Sequence, residues 1–173
     1  GIIDITKSYE GLEGLQVIIN NGDISIVSSD DGINSTATSG QGIVIDGGNL
    51  YILAGGDGLD SNSRTAYSGI VFKGGKTVVI STSGGNSAID TEAGYTYTSG
   101  SVLAIMPNGG MTSEATHCSN FSSVAKKISM SLSSGKTLTV SVSNSAILSV
   151  KIPCNLSAIV IYLGSTSANI SLN

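Results

Sequence analysis

Apolar residues alternate with polar ones in short runs, and each run follows a glycine. The runs read NNGDISI from Asn20, DGGNLYI from Asp46, KGGKTVV from Lys73 and TSGSVLAI from Thr98. Their glycines Gly22, Gly48, Gly75 and Gly100 are spaced by 26, 27 and 25 residues. A two-residue apolar period predicts strands with one face toward a core, as for Ile24 and Ile26, Leu50 and Ile52, or Val102 and Ala104. In the third run the pattern is ambiguous, since either Thr77 and Val79 or Val78 and Ile80 satisfy it. Further strands are expected before each glycine, at Val17 to Ile19, Ile43 to Ile45 and Ile70 to Phe72.

A second motif alternates with the first. It reads YEGLEG from Tyr9, DDGINS from Asp30, GDGLDS from Gly56 and NSAIDT from Asn86, with anchors Leu12, Ile33, Leu59 and Ile89 spaced by 21, 26 and 30 residues. Two or three short strands per repeat, with no amphipathic helices, make one rung of a parallel β-helix. The expected fold is all-β, a right-handed parallel β-helix of about four rungs over residues 1–107. The chain changes character near Pro107. From Ile128 it alternates without glycine pairs or acids, which predicts an antiparallel β-rich cap over residues 108–173 in the same structural unit. Such a cap covers the core and strand edges of a last rung. Residues Ser113 to Lys127 hold the one candidate short helix.

Composition narrows the function. The 173 residues are 12% charged and 40% hydrophobic, with 23 Gly, 2 Pro, net charge −4 and mean hydropathy +0.27. Disorder is thereby excluded, and the absence of a basic stripe argues against nucleic acid. No apolar run approaches the roughly 20 residues of a membrane-spanning helix. A start at Gly1 rather than Met is compatible with a processed or trimmed product, from which any signal peptide would be missing. Cys118 and Cys154 either form a disulfide in an oxidising compartment, closing a loop of 36 residues, or remain reduced and buried.

Alignment on the anchors gives two acidic columns. Glu10, Asp31, Asp57 and Ser87 form one, and Glu13, Asn34, Asp60 and Asp90 the other; with Asp30 beside them, they hold seven of the twelve acids. Rungs stack about 4.8 Å apart. Neighbouring unit charges then repel by roughly 1 kcal/mol in water and about 3 to 4 kcal/mol at an effective dielectric of 20. A hard cation relieves this, and oxygen donors without Cys or paired His select Ca²⁺. The alternative is turn chemistry, in which the acids serve Asx-turns beside glycine.

KSYEGLEG, ISIVSSDDGIN, GDGLDSN and SAID together resemble the β-helical carbohydrate-binding domain family, described for cellulose and acidic sugars. The similarity covers roughly Thr6 to Pro107. It implies a right-handed parallel β-helix similar to calcium-dependent pectate lyases, with Glu13, Asp31, Asn34, Asp57, Asp60 and Asp90 as Ca²⁺ ligands. Members carry further rungs before KSYEGLEG, so the chain is expected to be a fragment or a short variant. Without Trp, the sugar-contacting candidates are Tyr67, Tyr95 and Tyr97 near rung turns. A lyase would need a basic residue such as Lys73, Lys76 or Arg64 to take the proton beside a uronate carboxylate. His117 is the sole histidine and is read as a surface residue. The expectation is a non-catalytic, secreted or cell-surface, calcium-binding protein with polysaccharide as partner. The second reading is a subunit of an extracellular layer, sheath or filament, associating end to end.

Overall fold

The two motifs fold into stacked strands because each repeat places the same residue types at the same height. The computed structural model describes residues 1–109 and 111–173. One stack contains β1 (Ile2–Ser8), β4 (Asp23–Ser28), β7 (Asn49–Ala54), β10 (Lys76–Ser81) and β13 (Ser101–Pro107). A second contains β2 (Leu12–Gly14), β5 (Ile33–Ser35), β8 (Leu59–Ser61) and β11 (Ile89–Thr91). The third contains β3 (Val17–Ile19), β6 (Ile43–Ile45), β9 (Ile70–Phe72) and β12 (Thr96–Tyr97). Pairing within these three stacks is parallel, and the chain makes a β-solenoid of about three turns.

The anchors stack in one inward column, Leu12 against Ile33, Leu59 and Ile89, and the last three are fully buried. Ile24, Leu50, Thr77 and Val102 make another. The glycine turns are needed for two reasons, which Gly48 illustrates. Its φ is +88°, and a Cβ there would lie 2.6 Å from the Gly22 carbonyl oxygen of the preceding rung.

The remaining elements are α1 (Thr112–Thr116), α2 (Phe121–Val124), β14 (Ala125–Leu132), β15 (Thr137–Val142), β16 (Ser145–Lys151), β17 (Leu156–Leu163) and β18 (Asn169–Leu172). Strand β17 pairs antiparallel with β13 and with β14, extending the first stack to seven strands. Segment 112–118 closes the other stacks, with α1 against β11 and a bridge between Tyr95 and Cys118. The small antiparallel sheet β16-β15-β18 packs on the outer face of the first stack, where Val78, Ile80, Leu103 and Ile105 meet Leu138, Val140, Leu148 and Val150. The third repeat's ambiguity is thereby resolved. Thr77 and Val79 face the solenoid interior, Val78 and Ile80 face the cap, and all four are buried.

The disulfide expectation is corrected. Both cysteines are free, because they lie on opposite faces of the seven-stranded sheet. Cys118 is buried in the solenoid core beside Tyr95, whereas Cys154 sits on the outer side with Val27, Leu53 and Thr82. Among the described residues no helix is long and apolar enough to cross a membrane.

Candidate functional site

The second acidic column is a register row. Glu13 pairs with Asn34, Asn34 with Asp60, and Asp60 with Asp90, on the outward side of β2, β5, β8 and β11. Their neighbours along each strand, Ile33 and Ser35 or Leu59 and Ser61, point inward and are fully buried. Strand alternation therefore turns the whole row to one face.

The first column behaves differently. Asp57 N–H donates to Asp31 Oδ1 at 2.8 Å, and Ser87 N–H donates to Asp57 Oδ1 at 2.5 Å. Each aspartate thus ties its turn to the next rung. Asp31 and Asp57 perform the turn chemistry that short acidic motifs commonly supply, while their second carboxylate oxygens take no part in these contacts.

The two columns form one electrostatic unit. Burial first, then the charges of Asp31, Asp30 and Glu13, raise the Glu10 carboxyl to about 7. Asp60 is also raised to about 7, by burial and then by Asp31, Asp90, Asp57 and Glu10. Asp57 is raised to about 6 by burial, partly opposed by its bond from Ser87. Asp31 is raised by burial against the opposing bond from Asp57. Asp90 is raised by burial and then by Glu114 and Glu92. Glu114, carried in by α1, and Glu92 are neighbours that the repeat alignment missed. Glu114 had no signal in the sequence, because only folding of the cap brings it to the row.

No basic side chain compensates these acids among the described residues. The one ion pair there joins Lys73 Nζ to Asp46 at 3.2 Å, at the turns after β9 and β6. Glu10 Oε2 and Asn34 Oδ1 are buried and lack a hydrogen-bond partner among the described residues. All-oxygen donors with orphaned acceptors fit a hard cation in kind. In arrangement they make a ladder, and among the described residues no three His, Cys, Asp or Glu side chains converge as a metal cage.

The tyrosine assignments need correction. Tyr95 is fully buried, its hydroxyl donating to the Ala115 carbonyl at 2.8 Å and its ring edge-on to Phe72 at 5.9 Å. Tyr97 is also buried, stacked in register on Phe72, with its hydroxyl donating to the Gly100 carbonyl at 2.7 Å. Neither ring presents a face to solvent for a sugar. Tyr67 is exposed, has a φ of +54°, and meets His117 edge-on at 5.3 Å. No family model matches the chain, and neither curated proteins nor solved structures give a significant match.

Proposed function

We propose that this is a non-catalytic extracellular carbohydrate-binding protein whose acidic face takes up calcium and uses it to hold acidic polysaccharide. The observation that carries this reading is the in-register row Glu13, Asn34, Asp60 and Asp90, desolvated at Asp60 and Asp90 and without a basic partner. Glu10, Glu13, Asn34, Asp60 and Asp90 are the residues that would hold the ion. Asp31 and Asp57 hold the turns that present them, and Asp30 adds charge beside Glu10. When bound, calcium supplies a positive centre to which a uronate carboxylate can be bridged. The non-catalytic reading is supported by the three candidate bases together: Lys73 is engaged with Asp46, and among the described residues neither Lys76 nor Arg64 pairs with a residue of the acidic row.

The test is retention of polygalacturonate with Ca²⁺ and with chelator. Retention is expected to fall on chelation and to be weak with Asp60→Asn under both conditions. Equal retention by the parent protein with and without chelator would sink the calcium mechanism.

A second reading, the subunit of a surface assembly, is favoured by the first rung. There Ile2, Tyr9, Leu15 and Ile18 are all more than half exposed, beside edges of β1, β2 and β3 that no other strand pairs among the described residues.

A further inference from the structure

The three-stranded cap sheet ends in an open edge. Among the described residues β16 pairs with β15 alone, so alternate backbone N–H and C=O groups along Ser145–Lys151 point away from the sheet with no strand to meet them. The other edges of the two larger antiparallel assemblies are guarded. Strand β1 carries Asp4 and Lys7 and a register irregularity between Ile5 and Ser8, β14 carries Lys126 and Lys127, and β18 has only four residues. Strand β16 has seven residues, and its one charge is its last residue. Charges, irregular pairing and shortness keep a sheet edge from joining other chains, and most of β16 has none of them.

Beside this edge runs a groove of about 530 Å³, lined by Leu148, Ser149 and Val150. Leu148 and Val150 are buried toward the solenoid, whereas Ser149 is exposed. Successive residues that point to opposite faces of a sheet line one groove only along the edge of their strand. The floor is the outer face of the first stack, through Ser25 of β4, Tyr51 of β7 and Val78 of β10, which share one register row. Among the described residues the apolar contact between cap and solenoid takes in Val78 and part of Tyr51, but not Val27 of β4. That contact therefore stops before β4 and β1, leaving two strand spacings, roughly 10 Å, of outer face.

We infer that this edge docks an extended segment of another polypeptide, which joins β16 as a fourth strand of the cap sheet and continues the cap's contact over β7 and β4. A row of unpaired backbone donors and acceptors is matched by another backbone, and by neither a sugar nor an acyl chain. In the docked strand, apolar side chains at alternate positions face Tyr51, and polar ones face solvent. Asp4 and Asp23 against Lys76 leave the groove net acidic, and Asp4 forms no ion pair among the described residues, so the segment carries a basic residue. A second copy of this chain fits less well. Antiparallel pairing of β16 with its own copy sets both solenoids on the same side of one sheet, where β1 and β4 of each occupy the space of the other. The docking edge uses neither the acidic row nor a metal, and it goes beyond the carbohydrate-binding reading.

The probe is a capped peptide of sequence RVTVTVS bearing a fluorophore, titrated with the full chain in chelator and read by anisotropy and by amide hydrogen exchange. It binds, and alternate amides of β16 exchange more slowly in the complex. Methylating the peptide's backbone nitrogens at one alternate set of residues abolishes binding, because those N–H groups donate to β16; methylating the other set leaves it close to the unmodified peptide. Asp4→Lys, at an exposed position, weakens the peptide by about fivefold and leaves an analogue with Gln in place of Arg unchanged. Tyr51→Ala weakens both peptides, and should it not fold, Asp4→Lys and the two methylated peptides carry the test. Absence of binding, equal effects of the two methylation patterns, equal binding of a scrambled peptide, or unchanged exchange in β16 overturns the inference. A parent protein that elutes as a dimer with the β16 amides already protected also overturns it, by assigning the edge to a second copy.

Discussion

Replacing Asp60 by Asn tests whether the acidic row is strained when ionised. The folded protein holds the Asp60 carboxyl at about 7, against an ordinary value of 3.8. Roughly three units at 1.36 kcal/mol each set a ceiling of about 4 kcal/mol. Asp57 and Glu10 titrate with it, and the partly exposed row is screened by solvent, so about 2 kcal/mol is the working figure. Because the folded state binds the proton more tightly than the unfolded chain, this stability is fully present below about pH 4 and is lost as pH rises toward 7. In metal-free buffer the parent protein is expected to lose about 2 kcal/mol between pH 4 and pH 7.5. An amide at this position cannot ionise and stacks on Asn34. Asp60→Asn should therefore melt about 4 to 8 °C above the parent at pH 7.5 and match it near pH 4. Thermal unfolding by circular dichroism across this range is the assay. A parent melting temperature unchanged from pH 4 to 7.5, or a variant that tracks the parent throughout, would refute the electrostatic argument.

Three other expectations follow from named contacts. Calcium at 100 times its dissociation constant should stabilise the parent by about 2.7 kcal/mol, with most of the gain erased in Asp60→Ala and kept in Asp4→Ala; identical melting with Ca²⁺ and chelator would leave the columns as turn chemistry. In Gly32→Ala the new Cβ would meet Ile52 Cγ2 and the Gly58 carbonyl oxygen, the latter at 2.5 Å. A loss of about 3 kcal/mol in urea unfolding is expected, and a neutral result would mean the rungs separate easily. Thr77→Val should raise stability by about 1 kcal/mol, since the fully buried Thr77 hydroxyl lacks a partner among the described residues. Destabilisation would reveal an uncounted bond, such as one to water.

What could be read from the sequence was what repeats locally. Leu12, Ile33, Leu59 and Ile89 align because each must fill the same layer of core, and that alignment also set Glu13, Asn34, Asp60 and Asp90 in register. Contacts made across the fold were not legible. Val78 and Ile80 are buried by cap strands more than fifty residues further along the chain, so period-two reasoning saw two candidate inward faces and could not know that both are covered. Cysteine spacing gives a loop length but not the side of a sheet, which is why Cys118 and Cys154 misled. Tyr97 did carry a signal, since it falls in line with Ile19, Ile45 and Phe72, the inward column of the third stack.

The two ends of the solenoid are chemically unlike. At the far end β13 is consumed by the antiparallel β17, β11 by α1, and Tyr95 by the bridge to Cys118. Among the described residues, β1, β2 and β3 at the near end keep one side of their backbones unpaired. A stack with one terminated end has a direction. Parallel strands, whichever chain supplies them, can join it on the near side only, so growth by strand addition runs one way along the solenoid axis.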